Sequence, residues 1–116
     1  MTIKRHHSGP RMSQIVEHGD TVYLAGQVAL DAAGDSVTNQ TKNIVERIDS
    51  LLAEAGTSKA NLLSATIWLA DIGTFDEMNA VWDAWINSGN PPVRACVEAK
   101  LALPKYTVEI GIIAAK

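Results

Sequence analysis

Arg94 and Glu109, near the end of the chain, are charged residues set into apolar, strand-like runs. In PPVRACVEAKL a period of two groups Val93, Ala95, Val97, Ala99 and Leu101 on one face. Arg94, Cys96, Glu98 and Lys100 fall on the other. In YTVEIGIIAA, Val108, Ile110 and Ile112 share a face, and Glu109 stands opposite them. Both strands are expected to turn their charge away from the face that a helix covers. A guanidinium offers a planar fork of donors suited to a carboxylate. A carboxylate such as Glu109 can hold a water or accept a proton. The same spacing also describes a solvated sheet face with ordinary surface charges.

Other candidates carry less chemistry. Cys96 has no evident histidine partner, so a small buried thiol describes it better than a nucleophile. His6, His7 and His18 lack metal-ligand spacing and read as terminal or turn residues. Trp68, Trp82 and Trp85 follow strand or helix periodicity, which assigns them to the core rather than to base stacking. Asn79 falls within an apolar helical stripe, where a satisfied core amide or cap competes with a site role. Glu98 and Lys100 read as a cross-strand or solvent-facing pair.

The elements that must position these residues are legible in outline. Strands are predicted over 13–17 and 21–28, joined by the turn His18-Gly19-Asp20, with Gly26 marking a bulge or a close approach. Val37, Thr41, Ile44, Ile48, Leu51 and Ala55 recur at helical spacing, and Gly56 stands where a left-handed cap belongs. A strand over 63–70 follows. A second helix starts at Thr74, which with Glu77 has the spacing of a capping box. Phe75, Met78, Val81, Trp82, Trp85 and Ile86 form its stripe, and Gly89, Pro91 and Pro92 end it. The strands 93–101 and 106–115 close the order ββαβαββ, an α+β arrangement with both helices on one sheet face. The other face is expected to gather Arg94, Cys96 and Glu109 with Tyr23, Ala25, Ile113 and Ala115. A face so mixed needs a cover that the chain is too short to supply, and a homo-oligomer is expected.

Composition bounds the rest. Residues 1–116 make one domain on the usual size prior, large enough to fold without disulfide or metal. A net charge of −3 and dispersed Lys and Arg argue against an electrostatic nucleic-acid binder. The stretch Lys4, Arg5, His6, His7 reads as a loosely held end. The single cysteine fits a reducing compartment. The lack of a long apolar run or signal core fits a cytoplasmic location without a membrane partner.

Taken in order, VYLAGQVA, FDEMNAVWDAW and PPVRACVEAKLALPKYTVEIGIIAA resemble the RidA/YjgF family (Rid, L-PSP) over 9–115. The resemblance implies a chorismate-mutase-like mixed sheet, assembled as a trimeric barrel with pockets at the subunit interfaces. It implies a cofactor-independent, metal-free deaminase of 2-imino acids and 2-aminoacrylate-type enamines. By that resemblance Arg94 holds the substrate carboxylate and Glu109 positions or activates water. Cys96 contributes backbone to the pocket, and Gly26 and Asn79 lie near it. Active members commonly carry a tyrosine near Gly-Pro and a serine before the second-strand glycine. This chain has Gly9-Pro10-Arg11-Met12-Ser13 and Ala25-Gly26, which implies a divergent branch.

Imine hydrolysis asks little beyond a held carboxylate and an oriented water. A simple hairpin about Pro104 would put Arg94 and Glu109 some 17 Å apart at strand rise. A shared site therefore needs strands that are not simply paired, or residues from neighbouring subunits. A carboxylate-binding module with little turnover is the second reading. Ribonuclease activity, a name attached to some relatives, is the third.

Overall fold

The computed structural model of the chain describes residues 1–86 and 89–116. Its strands are β1 (Ile3–His6), β2 (Ile15–His18), β3 (Thr21–Leu24), β4 (Gln27–Val28), β5 (Leu62–Leu69), β6 (Val93–Glu98) and β7 (Val108–Ala115). The helices are α1 (Val37–Glu54) and α2 (Phe75–Trp85). One mixed sheet runs in the order β1-β2-β3-β7-β5-β6, and β4 continues alongside β7. β5 pairs parallel to β6 and antiparallel to β7. The last two strands therefore do not form a hairpin, because β5 lies between them.

Both helices cover the same face. Ile44 and Ile48 of α1 and Met78 and Trp82 of α2 share one buried cluster with Ile67 of β5 and Ile110 of β7. Full burial of each such side chain contributes about 1.5–3 kcal/mol. The alternation in β7 is strict: Val108, Ile110, Ile112 and Ala114 are buried, and the residues between them are half-exposed.

α1 ends where its sequence predicts, and Ser36 fixes its start. The Ser36 side chain accepts from the Asn39 N–H at 3.1 Å. At the other end Gly56 takes φ +80°, and the Gly56 and Thr57 N–H groups donate to Ala53 and Leu52. That pair of bonds is a Schellman stop. Gln40, a buried amide not singled out by periodicity, donates to the Asp35 and Lys105 carbonyls and accepts from Thr107 N–H. It fastens α1 to the loop before β7.

The capping box at α2 does not form. Thr74 makes no side-chain cap bond, and its hydroxyl donates to the Asp71 carbonyl. A 3-10 turn over Ile72–Thr74 precedes the helix, capped by Asp71 through the Gly73 N–H. Glu77 instead reaches across to α1 and accepts from both the N–H and the hydroxyl of Thr38. The acid still sits in the first turn of α2, where the helix dipole favours it.

The N-terminal stretch is not loose. β1 pairs antiparallel with β2, and His6 Nε2 lies 2.5 Å from the Glu17 carboxylate. Lys116 pairs with the same carboxylate, and His7 pairs with Glu54 at the end of α1. Charged residues such as Lys4 and Arg5 suit an edge strand, which is why composition alone suggests a frayed end.

Candidate functional site

Arg94 lies on the helix face of the sheet, opposite to the placement expected from its alternation. Its cross-strand partner is Ala65, a core residue, and Cys96 likewise pairs with buried Ile67. Alternation reports which residues share a face; the parallel register with β5 decides which face it is. β6 is an edge strand exposed along most of its length, so its apolar residues are not its buried ones. Val93, Ala95 and Val97 point to the uncovered side, with Val93 72% exposed.

One face of α2 builds a shelf for the guanidinium. Arg94 Nη1 donates to Asn79 Oδ1 at 2.7 Å. The guanidinium carbon stands 5.7 Å from the Phe75 ring centre and 5.5 Å from that of Trp82. Such cation–π contacts hold a planar cation without neutralising it. Among the described residues Arg94 has no carboxylate partner. Cys96, half-buried and next along the same face, has its thiol pushed up by burial, partly offset by the Arg94 charge. A thiol so placed favours packing over nucleophilic attack.

Glu109 occupies the uncovered face, as expected. It stands in a cross-strand row with Trp68 and Val97. A parallel row runs Val93, Ser64, Ile113, Tyr23. Gly26 falls in the break between β3 and β4, and a Cβ there would lie 2.2 Å from Glu109 Oε2. The close approach predicted for Gly26 is thus to the Glu109 carboxylate. Beside it, Tyr23, Gly26, Thr66, Trp68 and Gly111 line a shallow hollow of about 270 Å³. Trp68 lies over Gly111, whose Cβ position is 3.3 Å from its ring, so Trp68 is a residue of the open face rather than of the core.

The five candidates therefore fall into two groups. Arg94, Asn79 and Cys96 come together on one side of the sheet, and Glu109 and Gly26 on the other. Along β5 their registers are three residues apart, Ala65 against Trp68, and two strand spacings separate them laterally. That is about 10 Å along and about 10 Å across, through the sheet. Phe75, Trp82 and Trp68 complete the two groups. Their apolar periodicity marks them as core, and only the position of β6 reveals the first two as a shelf. Among the described residues no group of three or more His, Cys, Asp or Glu could hold a metal ion. Among the described residues Glu98 and Lys100 form no ion pair; Glu98 accepts instead from the Ile72 N–H at 3.1 Å.

Comparison with known proteins covers the whole chain. The Endoribonuclease L-PSP family profile matches residues 2–116. A RutC family protein of Haemophilus influenzae is 44% identical over 114 residues, 98% of each chain. The RutC family protein YoaB of Escherichia coli K12 is 45% identical over 116 residues, 99% of each. The crystal structure of a YjgF family member from Neisseria meningitidis superposes with a TM-score of 0.96 at 44% identity, covering 100% of this chain and 96% of that one.

Proposed function

The chain belongs to the Endoribonuclease L-PSP family, with RutC and YjgF proteins as relatives, and on that premise we propose that it hydrolyses 2-imino acids and 2-aminoacrylate-type enamines to 2-keto acids and ammonia. The observation that carries this reading is the Arg94 guanidinium. It is held by Asn79 and two aromatic rings, yet it has no carboxylate of its own among the described residues. Such a fork is ready for the carboxylate of a small substrate.

The reaction then needs one water. Its oxygen bonds to the C=N carbon while Glu109 takes a proton from it, and the electron pair of the C=N bond goes to nitrogen. Nitrogen is protonated, the C–N bond of the carbinolamine breaks, and ammonia leaves as the C=O bond forms. An enamine first takes a proton on its terminal carbon to give the imine. The carbon is electrophilic from the start, so orientation supplies most of the help.

Because the two groups face opposite sides of one sheet, the working site joins Arg94 of one subunit to Glu109 of its neighbour in a homotrimer. Val93 and Val97, with Tyr23, leave apolar surface on the uncovered face for such an assembly. The second reading, a carboxylate-binding module, draws on Ala25, which offers no hydroxyl beside Gly26. Ribonuclease activity, the word in the family's description, is disfavoured by the net charge of −3.

A threonine dehydratase coupled to this protein tests all three. Wild type is expected to accelerate release of 2-oxobutanoate and ammonia, and Arg94→Ala is not. No acceleration, with Arg94-dependent binding of 2-oxobutanoate retained, makes the protein a binding module. RNA cleavage that survives Arg94→Ala sinks both readings.

A further inference from the structure

We infer that Gln27 is a positioning residue for Glu109: its buried amide clamps the Ala25–Gly26 break, and that break sets where the Glu109 carboxylate can stand. Gln27 is 2% exposed, and its side chain is fully engaged. Nε2 donates to Gln14 Oε1 at 2.8 Å and to the Ala25 carbonyl at 3.0 Å, while Oε1 accepts from Arg47 Nη2 at 3.3 Å. The Ala25 N–H donates to the Gln14 carbonyl at 2.9 Å, so Ala25 is held through both its N–H and its C=O. The next residue is Gly26, whose missing side chain leaves the volume that Glu109 Oε2 fills. Register ties the parts together, because Gln27 pairs with Ile110 and Val28 with Glu109.

The fold alone gives little reason for this amide. Replacing this amide and its partners together by apolar groups can be nearly neutral for stability, whereas losing the amide alone leaves Gln14 Oε1 and the Ala25 carbonyl without their donor. Arg47 extends the chain of contacts to α1, with its Nε shielded from solvent and without a partner among the described residues. Helix α1 is thereby linked, through one amide, to the backbone against which the Glu109 carboxylate rests.

The kinetic part of the test rests on the hydrolase reading; the structural part does not. In the coupled assay Gln27→Leu is expected to lower kcat on the order of tenfold to a hundredfold, the usual cost of a misplaced group. KM should stay within about twofold, because in the proposed site the substrate carboxylate is held by a neighbouring subunit's Arg94, and Gln27 bonds only Gln14, Ala25 and Arg47. The acid limb of the pH–rate profile should move, which a mere loss of folded protein would not cause. Arg47→Met should shift the same quantities less. A crystal structure of Gln27→Leu is expected to show the Ala25 carbonyl turned and the Glu109 carboxylate displaced; if Gln27→Leu does not fold, Gln14→Met gives the same comparison. An inactive wild type overturns the hydrolase reading alone. A Glu109 carboxylate that has not moved overturns the inference, whatever the rates, as does an unchanged kcat in a variant beside an active wild type.

Discussion

Gly26 and Glu109 compete for one volume, and their contest separates activity from stability. A Cβ at position 26 would meet the far end of a flexible side chain rather than backbone, so Glu109 can swing away at little cost. Gly26→Ala should therefore change the urea unfolding free energy by less than about 1 kcal/mol, within the range of unstrained substitutions. Turnover in the coupled assay should nevertheless fall steeply, since the carboxylate has left its place. Equal losses of stability and turnover would show that the glycine serves the fold instead. At this scale the sequence was informative about kind and silent about side. Arg94, Cys96 and Glu98 share a face, as their spacing says, but on a strand with two exposed faces nothing in the pattern names the one beneath the helices. Asn79 shows the converse. Its place in an apolar stripe left a core amide or cap and a place near the site both open, and it is the hydrogen-bond partner of Arg94.

Among the elements, the two helix starts look alike in sequence and differ in physics. Ser36 caps α1, so Ser36→Ala should cost about 1 kcal/mol in chemical denaturation. Thr74 caps nothing, and Thr74→Ala should cost clearly less. The Schellman stop at Gly56 was legible because only a residue tolerant of positive φ serves there. The capping box was not, because Asp71 and Thr38 compete for the same groups from outside the window. The N-terminal strand was missed for a similar reason: its hold is long-range, through Glu17. That carboxylate is 4% exposed and held below its ordinary value near 4.5 by hydrogen bonds from Lys116 first and His6 second, which outweigh burial. A depressed carboxylate stabilises the fold above its unfolded value and loses that contribution as pH falls through its folded one. Wild type should thus exceed Glu17→Gln in stability at pH 7. Urea titrations repeated at steps below pH 4.5 should find the gap closing.

For the whole molecule, the decisive property is that one sheet separates the two halves of the proposed site. Arg94→Ala and Glu109→Gln should each be inactive alone. Unfolded together and reassembled, they should regain part of the wild-type rate, because a mixed form of the proposed trimer would contain interfaces with both residues intact. No recovery, in mixtures shown to exchange subunits, would place both residues in one subunit's site. β7 has a further consequence. It is the strand synthesised after all the others, yet it lies between β3 and β5 and pairs with both. Until β7 emerges the chain therefore carries two unsatisfied strand edges, and the helices have no finished sheet to cover. Closing the sheet must wait until β7 has been made and is free to pair, and until then the chain depends on whatever keeps open β-edges apart.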